Sequence, residues 1–296
     1  MKAVRKLISR NMKLYFRDYA AVFFSLLAVL IVLALYILFL ADMQVDSVNS
    51  VTGGTLARKD ISYLVNSWIL AGLLSITTVT STLGGYGTMV SDREKKTDMD
   101  FRSSALARGV YPLANVISSF LIGAAVSAAA FAVYAVFIAA STGYRFSAPQ
   151  ILGCLLVICL SALMNAALLG FIVSLLRTSG GFSSVSSVFG AVIGFLNGVY
   201  VPLGSLPSGV QDFVRMLPFI HIASVFRRIL TSESAAICFE NAGESALETY
   251  QKDFGIILYA GSSEISIRTS VIYIAVFTAA ALICFFINYG RKQRTL

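Results

Sequence analysis

The sequence contains no Gly-Lys-Ser or Gly-Lys-Thr, the residues that close a P-loop around nucleotide phosphates. This chain offers no such site for hydrolysing ATP itself. It has a single histidine, His221, which excludes His-Glu-x-x-His zinc chemistry, and neither Gly-x-Ser-x-Gly nor Gly-x-Ser-Gly occurs. An intramembrane hydrolase would lack its nucleophile motif. Of the four cysteines, Cys154, Cys159 and Cys284 fall within apolar runs, so Cys238 has no neighbour for a disulfide, and no metal spacing exists. Charge is scarce as well, at 13% of residues against roughly 25% in an average soluble domain.

Apolar residues fill that space: 57% of the chain is hydrophobic and the mean hydropathy is +0.80. Six long stretches carry them, Ala21–Ala41, Leu64–Val90, Pro112–Ser141, Ile151–Leu176, Phe182–Val201 and Thr269–Tyr289. Each reaches the length of about 20 residues needed to cross a bilayer, and none holds Asp, Glu, Lys or Arg except at an end. The chain reads as an all-α integral membrane protein of six transmembrane helices. Carriers coupled to protons or sodium commonly bury a carboxylate or histidine in the membrane, and these spans offer none. Coordination of sodium by backbone carbonyls stays open.

The charges fix an orientation. With the N-terminus in the cytoplasm, fifteen of the 23 basic residues fall inside, among them Lys2, Arg5, Lys6, Arg10, Lys13, Arg17, Arg177, Arg291, Lys292 and Arg294. The inner segments then sum to ten positive charges and the outer ones to two negative, the positive-inside pattern, which places both termini in the cytoplasm. The basic balance implies anionic lipid headgroups, not nucleic acid. The first apolar run is too long, and lacks a small-x-small cleavage site followed by a soluble domain, so it is expected to be a permanent span.

Three elements flank the spans. Residues 1–20 place Val4, Leu7, Ile8, Leu14 and Tyr15 on one side of a helix, and Lys2, Arg5, Lys6, Ser9 and Lys13 on the other. That is the layout of an interfacial helix lying on the inner leaflet. Residues 91–111 form the most charged stretch, longer than a connector requires, and its Met99, Phe101 and Leu106 suit a docking surface for a cytoplasmic partner. Ser91 with Glu94 fits a capping box, so a helix is expected to start there. Residues 202–230 hold Pro202, Pro207 and Pro218, which divide them into two short helices apolar enough to dip into the outer leaflet as a re-entrant pair. His221, Ser224 and Arg228 share a face of the second helix, expected to meet water or a lined cavity.

Within the spans, Gly190, Gly194 and Gly198 repeat every four residues, and Gly123–Ala130 is a run of small residues. Such spacing lets helices approach closely, within one chain or across a dimer. Span two is rich in hydroxyls from Ser75 to Thr82, able to line a pathway or to bond back to their own helix. Residues 231–267 form an acidic outer loop with a short helix expected near Ser245–Phe254.

Taken together, these features resemble the membrane subunit of type-2 ATP-binding cassette exporters. The Val90–Thr97 run Val-Ser-Asp-Arg-Glu-Lys-Lys-Thr is similar to the family's acidic-basic segment after span two. The Gly198–Pro207 run and the downstream Leu217-Pro218 are similar to its proline-broken segment after span five. The resemblance implies two membrane subunits, identical or related, with two separate ATPase subunits that bind ATP and magnesium; this chain would carry no cofactor or metal. Asp92, Arg93, Glu94, Lys95 and Lys96 would match the coupling region, with Arg10 to Arg17 as a second contact. Spans one and five would match the pathway walls, and Pro202, Pro207, Pro218, His221 and Arg228 would belong to its outer lid. The apolar pathway favours an amphipathic cargo: a drug, an antimicrobial peptide or a lipid-like molecule. A carrier or channel, or a membrane sensor or anchoring subunit, is the alternative.

Overall fold

The computed structural model describes residues 2–35, 44–46, 48, 49, 52, 56–103, 106, 107, 109–240, 242–261 and 263–292. Residues 36–41 of the expected first span, Ser104, Ala105 and Arg108 of the loop after span two, and Arg294 of the tail lie outside them. Helix α1 (Lys2–Arg17) leads into α2 (Tyr19–Leu35), whose first turn is capped where the Ala21 N–H donates to the Asp18 carboxylate at 3.0 Å. Next come α3 (Arg58–Gly85), α4 (Gly87–Glu94), α5 (Thr97–Ser103), α6 (Val110–Thr142), α7 (Ala148–Leu175) and α8 (Ser179–Leu196). A 3-10 turn at Leu203–Ser205 precedes α9 (Ser208–Arg215), α10 (Pro218–Leu230), α11 (Ser232–Phe239) and α12 (Glu244–Asp253). An antiparallel hairpin of β1 (Leu258–Ala260) and β2 (Ser263–Ile265) then feeds α13 (Ile267–Lys292).

Among the described residues, five helical runs are long and apolar enough to cross a membrane: Arg58–Glu94, Val110–Thr142, Ala148–Leu175, Ser179–Leu196 and Ile267–Gly290. They carry the second to sixth expected spans. The first expected span begins as α2, of which 17 residues are described. Span five stops at Leu196 instead of Val201, because Gly198 takes φ +60° and turns the chain back on itself. The 37-residue run Arg58–Glu94 is about 55 Å long at 1.5 Å per residue, well beyond a hydrocarbon core of about 30 Å. Its charged ends, Arg58–Asp60 and Asp92–Glu94, are the parts of the run whose composition suits water instead of the apolar layer.

The bundle is organised around α3, which is almost wholly buried from Ile61 to Gly85 although it is less apolar than α6, α7 or α13. Its hydroxyls explain how. Thr77 donates to the Leu73 carbonyl at 2.7 Å and Thr80 to that of Ile76 at 3.2 Å, so they satisfy themselves within the helix. Thr78 reaches across to Ser161 of α7 at 2.7 Å, where Asn165 also donates. Small residues permit the approach: a Cβ on Gly85 would stand 2.9 Å from the Ser119 Cα, Gly123 leaves room for Thr82, and Gly170 for Tyr86. The Tyr86 hydroxyl then donates to the Ala166 carbonyl at 2.6 Å. The outer faces of α6, α7 and α13 expose Val133, Val136, Leu152, Leu156, Ile272, Val276, Ile283 and Ile287, an apolar girdle suited to lipid and to no aqueous surface.

The end of the bundle opposite α1 is capped by α11, α12 and the hairpin. Helix α12 matches the helix expected near Ser245–Phe254; the hairpin was not expected, since three-residue strands are too short to show alternation. The cap is tied to α3 where Trp68 Nε1 donates to the Phe254 carbonyl at 2.9 Å. Beside it Tyr144 donates to Asp60 at 2.6 Å and stacks on Tyr63 with ring centroids 4.7 Å apart. That bond to a carboxylate raises the Tyr144 pKa.

Candidate functional site

Two places gather the residues singled out by sequence: the junction of α1 with α4 and α5, and the connection from α8 through α10. At the junction α1 lies along α6. Leu7, Asn11 and Tyr15, spaced four apart, are its buried residues. Tyr15 packs with Ile122 and Val126 of α6 and with Ala21, Val22 and Leu26 of α2, while the Asn11 amide donates to Asn115 Oδ1 and Ser118 Oγ, each at 3.1 Å. Leu14 and Phe16 are exposed. The side of α1 turned inward is thus partly polar, set by bonds to α6.

Next to Asn11 in sequence, the Arg10 guanidinium forms a bidentate pair with the Asp92 carboxylate at 2.7 and 2.8 Å. Tyr111 of α6 donates to the same carboxylate at 3.2 Å, and Arg10 lies over the Phe101 ring at 5.5 Å. The hydrogen bond with Asp92 raises the Arg10 pKa above its ordinary value, ahead of the opposing effect of burial. One buried acid therefore joins α1, α4 and α6.

Its neighbours in sequence engage other elements. Arg93 Nη1 donates to the carbonyls of Val173, Ser174 and Leu176, at 3.0, 3.3 and 3.0 Å, where α7 ends. Glu94 accepts from the Ser179 hydroxyl at the first residue of α8. Lys95 and Lys96 are exposed on the turn to α5, where Lys96 adopts φ +60°, and Met99 and Asp100 are exposed beyond it. Arg17 closes α1 and, with Lys6, Ser9, Arg10, Lys13 and Leu14, lines a shallow concavity along it. One expectation is corrected here. No helix starts at Ser91: α4 is already under way from Gly87 and ends at Glu94, because it continues the long run from α3. Asp92, Arg93 and Glu94 each hold a different element of their own chain.

At the other connection the prolines divide the chain as expected. Pro202 precedes the 3-10 turn, Pro207 caps α9 and Pro218 opens α10, where its missing N–H costs nothing. Helix α9 exposes Val210 and Phe213, and Met216 is exposed just past its end, but α10 is buried in the bundle against α3, α7 and α13 instead of facing lipid. His221, Ser224 and Arg228 meet no water-lined cavity either. His221 bonds the Arg215 carbonyl at 2.9 Å and Ser270 Oγ at 3.3 Å, and Ser224 donates to the Ile256 carbonyl at 2.7 Å. Arg228 donates to the carbonyls of Ile256 and Ile265 and pairs with Glu264 at 2.9 Å. Arg228 thereby pins the hairpin to α10, Ser224 holds the segment before it, and His221 ties α10 to the end of α9 and to α13.

Sequence reasoning passed over the most buried cation. Arg227, fully buried, donates to the Asn197 and Gly198 carbonyls at 2.8 Å and to that of Gly255 at 3.3 Å, and lies 4.8 Å over the Trp68 ring. It satisfies the carbonyls freed where α8 ends. Its only sequence signal was an arginine amid an apolar helix. The three glycines sit in three settings and not along one packing face. Gly194 abuts the Tyr200 ring, Gly198 makes the left-handed turn, and Gly190 faces open space.

No curated protein sequence matches the chain. A family model described as ABC-2 type transporter matches residues 2–231, from the first described residue of α1 to just past α10, and so includes the junction and the proline-divided connection. On that match the chain belongs to the ABC-2 type transporter family, as a membrane permease.

Proposed function

We propose that the chain is the membrane subunit of an ATP-driven exporter that moves an amphipathic substrate outward, such as a drug, an antimicrobial peptide or a lipid-like molecule. A separate ATPase subunit would bind ATP and magnesium, and a second membrane subunit, the same chain or a related one, would complete the pathway. In this reading α2 is the first of six spans in a bacterial cytoplasmic membrane, both termini are cytoplasmic, and α1 rests against inner-leaflet lipid. The ATPase would dock on α4 and α5.

The observation that carries the reading is the convergence of α1, α4 and α5 at one basic end, which leaves Lys95, Lys96, Met99 and Asp100 exposed together. A pathway along α8 agrees with its surface. Ser183, Ser184 and Ser187 are exposed on its first half and Val188, Val192 and Phe195 on its second, a mixture of hydroxyl and apolar groups without charge. Purification of the tagged chain from its native cell in mild detergent, with mass spectrometry and an ATPase assay, tests the proposal. A stoichiometric nucleotide-binding subunit with ATPase activity is expected. A chain that purifies alone and without ATPase would point to a carrier, a channel or a sensor.

A further inference from the structure

The turn from α7 to α8 consists of Leu176, Arg177 and Thr178, and both helix ends beside it are met by consecutive side chains of α4. The carbonyls left over where α7 ends carry partial negative charge, and the cation Arg93 caps three of them. The first turn of α8 carries partial positive charge, and there the anion Glu94 accepts from Ser179. Each charge thus stands at the helix end of opposite sign. Thr178 completes the cap by accepting from the Gly181 N–H at 3.2 Å.

Helix α8 is poorly held between its ends. Only Ile193 and Gly194 are buried, and Gly180 and Gly181 in its first turn provide no side chain to pack. Its far end is anchored by Arg227 through the Asn197 and Gly198 carbonyls. Its near end is anchored through Glu94 and the capped turn. A displacement of α4 therefore reaches the near end of α8 through the Glu94–Ser179 bond and through the Phe182 ring that lies over Gly87, and reaches the turn before it through Arg93.

We infer that Arg93 and Glu94, with Ser179, form a clamp that makes the α7–α8 turn and the near end of α8 follow α4. They are positioning residues. The inference rests on the proposed function in one respect, that an ATPase is what moves α4; the clamp itself is a property of this chain.

Two measurements test it on the purified full-length protein, with any ATPase subunit that accompanies it. In hydrogen exchange, Ser179→Ala and Glu94→Ala are expected to speed exchange in the first two turns of α8 by about fivefold to tenfold. Amides of α6 should be unchanged, and Ser179→Thr should restore protection. Unchanged exchange in both alanine variants overturns the clamp whether or not an ATPase is present. In the complex, spin labels at Val133→Cys and Val188→Cys, in a background with the exposed Cys159 and Cys284 replaced by serine, report movement of α8 against α6. The label distance should change on ATP and vanadate in the parent, and stay fixed in Ser179→Ala while the ATPase rate persists. The same change in Ser179→Ala would refute the transmission. Absence of any ATPase would refute the proposed function and leave the exchange result to decide the clamp.

Discussion

Removing Arg10 should loosen α1 by an amount set by one buried carboxylate. The Asp92 side chain is 7% exposed and the Arg10 side chain 33%, so Arg10→Ala leaves an acid in a nearly dry site with Tyr111 as its remaining close donor among the described residues. Breaking a fully buried pair costs about 3–5 kcal/mol, and exposed pairs are worth about 1 kcal/mol or less. A bidentate pair with one partner dry and the other partly wet falls between, at about 2 kcal/mol. That is about a 30-fold rise in the opening of α1, since 1.4 kcal/mol is tenfold.

The helix should not detach, because Leu7 and Tyr15 stay buried and Asn11 keeps its bonds to α6. Hydrogen exchange across residues 5–15 measures the opening constant directly. A double-mutant cycle with Asp92→Asn isolates the pair, because the double variant no longer strands a charge. We expect a coupling of about 2 kcal/mol and partial recovery of protection in Arg10→Ala/Asp92→Asn. Additive effects, with a coupling below about 0.5 kcal/mol, would show that water replaces the guanidinium and that the pair does not hold α1.

Further outcomes follow from other contacts. Gly194→Leu must displace the Tyr200 ring and should cost about 1–3 kcal/mol by overpacking, whereas Gly190→Leu, facing open space in one chain, should leave the monomer's thermal unfolding unchanged. Cys238 is pushed up to about 12 by burial and by nearby Asp60; thiolate appears only as pH approaches that value, so at pH 8 maleimide labelling should be on the order of 1,000-fold slower than for an ordinary thiol. Equal labelling rates would place Cys238 at the surface. Arg227→Met removes three charge-assisted bonds to carbonyls where α8 ends and at Gly255, and should cost about 3 kcal/mol or more. Differential scanning of the detergent-solubilised protein reads this, and a loss under about 1 kcal/mol would mean that those carbonyls find other donors.

Hydropathy located the five long apolar helices seen among the described residues because each is apolar over a length the bilayer dictates, and the prolines marked α9 and α10 because a missing N–H and a fixed φ act locally. What escaped was set by partners distant in sequence. Asp92 reads as one charge in a charged loop until Arg10, 82 residues away, is seen to grip it. Ser91 and Glu94 have the spacing of a helix start, yet α4 was already wound from α3, and a long helix outranks a local cap. His221, Ser224 and Arg228 do share a face, but that face is turned to the Ile256 carbonyl, Ile265 and Ser270. Arg227 was hidden by the same logic in reverse, since an arginine with only carbonyl partners leaves no complementary acid to notice.

The unequal distribution of these polar contacts decides which part of the bundle can move. Helices α3, α6 and α7 meet through glycines and hydroxyls that leave no slack: a Cβ at Gly85 would already press on the backbone of Ser119, and Thr78, Ser161 and Asn165 bond across the α3–α7 contact. Sliding these helices would strand hydroxyls in hydrocarbon, where water cannot replace the lost partner. Helix α8 carries no such seam. Ser184 and Ser187 bond to its own carbonyls at Gly180 and Ser183, so these bonds survive a shift of the helix, provided its two ends are carried along. Those ends are held by Glu94 with Ser179 on one side and by Arg227 on the other. A helix with few buried residues and gripped at both tips moves when its grips move, and of the two grips only the one on α4 lies beside the exposed Lys95 and Lys96.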